Sequence, residues 1–152
     1  MRLTRWRAKR IVVWLFGLLL VMQLVPYGRA HTNPPVVQEP VWDAPGTRAL
    51  VQAACFDCHS NETRWPKYAQ VAPVSWLVQR DVNQGRAHLN FSEWQRTQRH
   101  AGDAAEEVRS GGMPQTYYTW LHAPARLSAP DREHLASTFE KMFGPPTHDQ
   151  ER

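Results

Sequence analysis

The sequence of 152 residues predicts an all-α fold, in which a single hydrophobic N-terminal helix precedes a small helical domain. No segment alternates strongly between apolar and polar residues, as a half-buried strand would. Prolines and glycines divide residues 47–152 into short pieces, and several of these pieces begin with a residue that favours a helix start. Residues 47–152 are sufficient for one small domain.

The first thirty residues have the pattern of an export signal. Residues 1–10 contain five basic residues and no acid, and an apolar run follows over residues 11–25. The basic flank is expected to stay in the cytoplasm while the rest of the chain crosses the membrane. We therefore predict that residues 1–30 are a basic n-region and a retained, single-pass transmembrane anchor. The alternative is cleavage near Ala30, which leaves a soluble periplasmic protein.

The charge distribution argues against a nucleic-acid partner. The chain has 18 basic and 14 acidic residues, a net charge of +4. Six of the basic residues and none of the acids lie in residues 1–30, so the remainder carries a net charge of −2. The overall basicity therefore serves to orient the N-terminus at the membrane and does not indicate a nucleic-acid-binding surface.

Residues 31–46 contain four prolines and are predicted to form a tether. Such a segment favours extended, polyproline-like backbone and acts as a semi-rigid spacer. The alternative is a surface arm that lies across the domain, with Trp42 as its anchor. Residues 47–152 are then the helical domain.

Capping residues and apolar spacing predict five helices in this domain. Their expected starts are Thr47, Ser75, Ser92, Asp103 and Ser128. The expected stops include Gly85, Gly111-Gly112 and Gly144-Pro145-Pro146. In the last helix, Leu135, Phe139, Met142 and Phe143 fall on one face.

Cys55-Phe56-Asp57-Cys58-His59 lies at the end of the first of these helices and reads C-x-x-C-H, the attachment signature of a c-type haem. The spacing allows the thiols of Cys55 and Cys58 to form thioethers with two vinyl groups, and His59 to ligate the iron. Attachment of this kind takes place on the far side of the membrane, which the N-terminal pattern also indicates. We predict one covalently bound haem c in a cytochrome c-like domain.

Other chemistries use a C-x-x-C pair. A thioredoxin-like dithiol needs an alternating strand–helix pattern, and the chain has no strong strand. A zinc site needs a second pair of ligands at suitable spacing, and Cys55 and Cys58 are the only cysteines. A plain disulfide and a chance occurrence remain as alternatives.

Met113 is predicted to be the second iron ligand. It lies in Gly111-Gly112-Met113-Pro114, between two helices, where no helical periodicity accounts for it. It follows His59 by 54 residues, enough chain to reach the opposite face of a haem. Met142 is explained by core packing. Among the histidines, His122 follows an aromatic run and is the alternative ligand, or a partner for a haem propionate.

Beyond the motif, the chain resembles the bacterial haem-binding domain family of small, often membrane-anchored, mono-haem c-type proteins. The stretches that carry the resemblance are HTNPPV (31–36), CFDCHSNETRWPKY (55–68), APVSWLVQRDVNQGR (72–86), LNFSEW (89–94), MPQTYY (113–118) and HAPARLS (122–128). The resemblance implies covalent haem on Cys55 and Cys58, with His59 and Met113 as axial ligands. The chain departs from the family pattern at Lys67, where an aromatic is common, and at Gln115, where a second proline is common.

The function expected from these features is electron transfer at the periplasmic face of the inner membrane, by a haem whose iron is ligated by His59 and Met113. The partners would be redox proteins and the membrane, with no small-molecule substrate and no enzymatic activity. Two alternatives need a displaceable sixth ligand: a peroxidase-like enzyme and a haem-based redox or gas sensor.

Overall fold

The fold is described from a computed structural model that covers residues 2–98 and 100–144. The α-helices are α1 (Arg2–Met22), α2 (Pro45–Ala54), α3 (Phe56–His59), α4 (Val74–His88), α5 (Ala104–Ser110), α6 (Thr116–Leu121) and α7 (Ala129–Phe143). Two 3-10 turns lie at Lys67–Gln70 and Ala123–Ala125. No β-strand occurs in the residues covered, which confirms the predicted all-α class.

Helix α1 is shorter in its apolar part than a membrane requires. It includes the basic residues of the N-terminus, and its apolar part, residues 11–22, is about 18 Å long at the usual helical rise. The hydrocarbon core of a bilayer is about 30 Å thick. In the described part of the chain, no helix is long and apolar enough to cross a membrane. The transmembrane helix predicted within residues 1–30 is therefore not supported.

The chain divides into two compact units. The first comprises Met1–Thr32 and Trp65–Asp81, and the second comprises Asn33–Arg64 and Val82–Arg152. Within the first unit, the Gln23 amide bonds both backbone groups of Ala72: its Nε2 donates to Ala72 O at 2.9 Å and its Oε1 accepts from Ala72 N at 3.0 Å. The His31 ring stacks on Trp65, with centroids 4.5 Å apart.

The second unit has an aromatic core centred on Phe91. The Phe91 ring lies 5.4 Å from that of Trp42, 5.8 Å from that of Phe56 and 6.1 Å from that of Phe139. Helices α5 and α7 pack against each other at this core, which α2 and α3 complete. The aliphatic and small members of the core are Val51, Leu89, Ala101, Ala105, Val108, Leu135 and Ala136.

Residues 33–42 form an extended arm that contacts non-helical residues of the second unit, at 61 and 92–94. Val37 N donates to Ser92 O at 2.9 Å, and Trp94 N donates to Gln38 O at 2.9 Å. The Asn61 side chain donates to Pro35 O at 2.9 Å. Trp42 adds its ring to the aromatic core, so both backbone and side-chain contacts hold the arm.

Three of the predicted helix starts are wrong. Helix α2 begins at Pro45, which suits a first helical turn, and the Thr47 hydroxyl lies 2.9 Å from His134 Nε2. Helix α4 begins at Val74, with Ser75 already inside the helix. No helix starts at Ser92, where residues 89–98 form turns and the hydroxyl accepts from Asn61 N at 2.9 Å.

The predicted starts and ends of α5 and α7 are confirmed. Local backbone chemistry decides these boundaries. Helix α7 follows Ser128, whose hydroxyl accepts from Asp131 N, and ends before Gly144. Helix α5 follows Asp103, although that side chain forms no capping bond, and ends before Gly111, whose φ is +84°. Helix α4 continues through Gly85 to His88, so the predicted stop there is wrong. Pro145 and Pro146 lie outside the described residues.

Candidate functional site

The C-x-x-C-H motif forms a short helix of its own after α2. Cys55 lies between α2 and α3, and its carbonyl accepts from Cys58 N at 3.1 Å and from His59 N at 2.8 Å. The motif therefore makes one helical turn, and Phe56 anchors this turn with a side chain that is 1% exposed. The sequence prediction that the motif ends the first domain helix is close, but a break at Cys55 separates α2 from α3.

The His59 ring is held in one orientation by a backbone carbonyl. Its Nδ1 lies 3.0 Å from Leu89 O, and since a carbonyl only accepts, Nδ1 carries the proton. The other nitrogen, Nε2, then has a lone pair for a metal ion. Burial lowers the pKa of His59 below its ordinary value, the backbone bonds to Leu89 and Gly85 oppose this effect, and the nearby His88 adds to it. A neutral imidazole is the state that ligates iron.

Both cysteines of the motif are thiols, and neither forms a disulfide in the described part of the chain. Burial raises the pKa of Cys55 to about 12, and the neighbouring Cys58 contributes. The Cys55 thiol is thus protonated near neutral pH.

Helix α4 presses against the motif at Gly85. A Cβ at this position would lie 2.3 Å from Cys58 O and 3.0 Å from Cys58 Cβ. Only glycine allows this approach, because real Cβ atoms do not come so close to backbone atoms. The glycine predicted to end α4 is therefore buried inside the helix, where it serves close packing.

A cavity of about 310 Å³ borders three of the predicted site residues: Cys55, His59 and Met113. Most of its remaining wall is apolar, formed by Ala54, Leu89, Phe91, Ala104, Val108 and Phe139. An apolar slot that meets a thiol, an imidazole and a thioether has the donor set and the surroundings that suit a c-type haem. Among the residues described, neither Cys58 nor His122 is part of this wall.

The Met113 loop is fastened to the end of α5. Met113 N donates to Glu107 O at 2.9 Å, and Gly111 turns the chain with its positive φ. Arg132 of α7 donates to Val108 O at 3.1 Å, next to the same turn. Met113 also packs against the hydrophobic core, so its backbone and its side chain are both held.

Four polar side chains at the cavity are outside the set of site residues predicted from the sequence: His88, His100, Asp103 and Glu107. The rings of His88 and His100 have centroids 4.7 Å apart, and His100 Nδ1 lies 3.4 Å from Asp103 Oδ2. They come from the end of α4, the following turns and α5. No spacing in the sequence signals this group, because the loop after α4 brings it together.

The middle of the motif carries a buried carboxylate, Asp57, which is 7% exposed. Tyr118 Oη donates to Asp57 Oδ2 at 2.7 Å, and Arg64 Nε donates to Asp57 Oδ1 at 3.2 Å. Burial raises the pKa of Tyr118, and the bond to Asp57 raises it further, so the phenol stays protonated and donates. His122 stacks on Tyr118 with centroids 4.0 Å apart, and its Nδ1 lies 2.9 Å from Tyr118 O.

Comparison with models of protein families matches residues 17–141 to the haem-binding domain. The match covers most of the chain, including the motif, the Met113 loop and the first thirteen residues of α7. No curated protein and no solved structure matches the chain.

Proposed function

Because the chain belongs to the haem-binding domain family, we propose that it carries one covalently attached haem c and transfers electrons between redox proteins. In this proposal His59 and Met113 would ligate the iron, and Cys55 and Cys58 would hold the haem covalently. The single observation that supports the proposal best is the shared cavity, which borders three of these four residues, Cys55, His59 and Met113.

Attachment in this proposal uses both thiols of the motif. The two thiols would hold the haem through thioethers, formed by addition across its vinyl groups, a reaction in which no group leaves and no external oxidant is needed. The single turn of α3 keeps Cys55 and Cys58 at adjacent positions for the two additions. Gly85 leaves room for the backbone at Cys58.

The chain's own residues would set the properties of the site. When bound, a haem with an imidazole and a thioether ligand takes up and releases single electrons at its iron. Leu89 O orients the imidazole of His59, and the core-packed loop holds Met113. The apolar part of the wall would contact the haem. With both His59 and Met113 on the iron, no coordination position would remain for a substrate, as an electron carrier requires.

Covalent attachment is tested by a haem stain after denaturing electrophoresis. The wild-type protein, produced with the haem-attachment machinery, should retain haem on the polypeptide after denaturation. The double variant Cys55→Ser/Cys58→Ser should lose it, because a hydroxyl does not form a thioether. Haem that leaves the denatured wild-type protein would overturn the covalent part of the proposal.

The sixth ligand is tested with two methionine variants. The ferrous wild-type protein should be six-coordinate, low-spin and slow to bind CO, and the ferric form should show a sulfur-to-iron charge-transfer band. Met113→Ala should lose this band, whereas the control Met142→Ala, in α7, should keep it. A wild-type protein without the band would exclude Met113 as the ligand.

One observation favours a second candidate, a peroxidase-like enzyme. His100 and Asp103 lie 3.4 Å apart at the same cavity, and such pairs can serve in acid–base catalysis. This candidate requires an open sixth position. Rapid CO binding by the ferrous wild-type protein, with a five-coordinate spectrum, would favour the enzyme and contradict the electron carrier.

We also propose that the chain is exported, with its haem domain at the periplasmic face of the bacterial inner membrane. The basic residues 1–10 and the apolar residues that follow support export. Fractionation with an alkaline wash and intact-mass analysis test this idea. Periplasmic release with loss of residues 1–30 would indicate cleavage near Ala30, and a cytoplasmic location would contradict export.

A further inference from the structure

The hydrogen bond between Tyr118 and Asp57 connects two parts of the site that are far apart in sequence. Asp57 lies inside the motif that carries His59, and Tyr118 lies in α6, which follows the Met113 loop directly. The phenol oxygen and Asp57 Oδ2 are 2.7 Å apart, a short bond of the charge-assisted kind.

Asp57 is itself held in place. Its Oδ1 accepts from Arg64 N at 3.0 Å and from Arg64 Nε at 3.2 Å. Its backbone carbonyl accepts from Thr63 Oγ1 at 2.9 Å. The carboxylate therefore offers Tyr118 a fixed acceptor, because both its side chain and its backbone are tied to the segment that follows the motif.

Helix α6 depends on such polar anchoring, because it buries none of its residues. Trp120 and Leu121 are 70% and 68% exposed. The residue after α6, His122, stacks on Tyr118 and donates its backbone N–H to Tyr118 O at 3.1 Å. Among the six side chains of α6, that of Tyr118 reaches the motif.

The Met113 loop is thus attached at two points. On its N-terminal side, Met113 N bonds to Glu107 O at 2.9 Å. On its C-terminal side, Thr116 begins α6, and Tyr118 bonds to Asp57. A loop attached at only one of these points has more freedom to move its thioether away from the cavity.

We propose that Tyr118 is a positioning residue for the sixth ligand: its hydrogen bond to Asp57 joins the Met113 loop to the motif that carries His59. This inference rests on the proposed function, in which Met113 ligates the iron. Tyr118 touches neither the iron nor a substrate in this role. In this role it makes displacement of the Met113 thioether from the iron by a competing ligand less favourable.

The variant Tyr118→Phe removes one hydroxyl and tests the inference in the full, haem-loaded chain. The probe is imidazole, titrated into the ferric protein and followed by loss of the sulfur-to-iron band. Loss of a hydrogen bond to a charged group should raise the apparent imidazole affinity about tenfold. The matched control is Tyr27→Phe, which removes an exposed tyrosine hydroxyl from the first unit and should bind imidazole as the wild-type protein does.

Variants of Asp57 test the same bond from the other side. Asp57→Asn keeps an acceptor for the phenol and should retain most of the wild-type resistance to imidazole. Asp57→Ala removes the acceptor, and combining it with Tyr118→Phe should add little to the affinity change of either variant alone. Additive changes would show that the two residues act independently and would overturn the inference.

The remaining outcomes separate this inference from the proposed function. If the wild-type protein shows the band and Tyr118→Phe binds imidazole with wild-type affinity, Met113 ligation stands and the positioning role is wrong. If the wild-type protein lacks the band, ligation by Met113 is wrong, and the positioning role is wrong with it. A global loss of stability would appear in unfolding curves and would not by itself change the imidazole affinity.

Discussion

Gly85 and Cys58 touch through their backbones, so that any side chain at position 85 would collide with the attachment motif. The colliding atom is the carbonyl oxygen of Cys58, 2.3 Å from the position of an added Cβ. A flexible side chain could move aside, but a backbone carbonyl inside a short helix cannot. The contact makes α4 a fixed support behind the motif.

We expect Gly85→Ala to lower the free energy of unfolding by about 2 kcal/mol, the usual range for overpacking, and to reduce the yield of haem-bearing protein. Denaturant unfolding and the haem stain would measure the two effects. Gly46→Ala in α2 is the control, because no atom lies within 4 Å of its added Cβ. Equal yields for the two variants would contradict the support that we assign to Gly85.

We expect Arg86→Lys to destabilise the second unit by about 2 kcal/mol. The Arg86 guanidinium donates to Ser60 O at 2.8 Å, to Thr63 Oγ1 at 2.9 Å and to Asn33 Oδ1 at 3.0 Å. A lysine ammonium cannot match this fork of donors, so buried acceptors lose partners. Urea unfolding measures the loss, and Arg80→Lys at an exposed position of α4 should be close to neutral.

We expect the ion pair between Glu39 and Arg48 to stabilise the fold in a pH-dependent way. Its two oxygens accept from Arg48 at 2.8 and 2.6 Å, and this pairing lowers the pKa of Glu39 below its ordinary value of 4.5. When the pKa of a carboxyl group is lower in the folded chain than in the unfolded chain, its ionised form stabilises the fold at pH values above the unfolded pKa. This stabilisation is lost as the pH falls through the folded pKa.

We therefore expect Glu39→Gln to lower the free energy of unfolding by about 1 kcal/mol at pH 7, since the pair is partly exposed. At pH 3 the difference from the wild-type protein should shrink, because the Glu39 carboxylate of the unfolded chain, with its ordinary pKa of 4.5, is then protonated. Urea unfolding at both pH values measures it, with Glu106→Gln on the exposed side of α5 as control. A difference that grows at low pH would contradict the assignment.

We expect the Gln23 side chain to protect the Ala72 amide, in the first unit, from hydrogen exchange. Its side chain accepts from Ala72 N and donates to Ala72 O, and Arg29 Nη2 donates to Gln23 Oε1 at 2.9 Å. Gln23→Ala leaves the buried Ala72 peptide without these partners. We expect the Ala72 amide to exchange its hydrogen about tenfold faster or more.

Hydrogen exchange followed by mass spectrometry of peptides that contain Ala72 measures this change. Gln84→Ala, at an exposed position of α4, is the control. Unchanged protection in Gln23→Ala would mean that other contacts protect this peptide. Cleavage near Ala30 would remove Gln23 as well, so the cleaved chain should show the same faster exchange.

The sequence predicted the fold where one residue's local chemistry decides the outcome. Ser128 caps α7 with its own hydroxyl, and Gly111 ends α5 with a positive φ. The starts at Thr47 and Ser92 were wrong because their hydroxyls have partners 87 and 31 residues away in the chain. Such tertiary bonds leave no trace in a short window of sequence.

Some features of the candidate site could likewise be predicted from the sequence, and others could not. Spacing and loop context are local properties, so the motif and Met113 could be proposed from the sequence; the structure places Cys55, His59 and Met113 at one cavity, and their roles as haem ligands stay predictions. Helix α6 was missed, since a six-residue helix that buries no side chain has no apolar periodicity. The bond between Tyr118 and Asp57 spans 61 residues, so only the folded chain reveals it.

Two hydrogen bonds join His59 to the backbone of the segment Leu89–Phe91, one through its ring and one through its own carbonyl. Leu89 O accepts from the ring, and Phe91 N donates to His59 O at 2.8 Å, while the side chains of Leu89 and Phe91 are buried in the core. For an electron carrier of the proposed kind, a ligand fixed in this way moves little when the iron changes its charge. The nuclear rearrangement that accompanies each electron is then small, and rapid exchange needs less driving force.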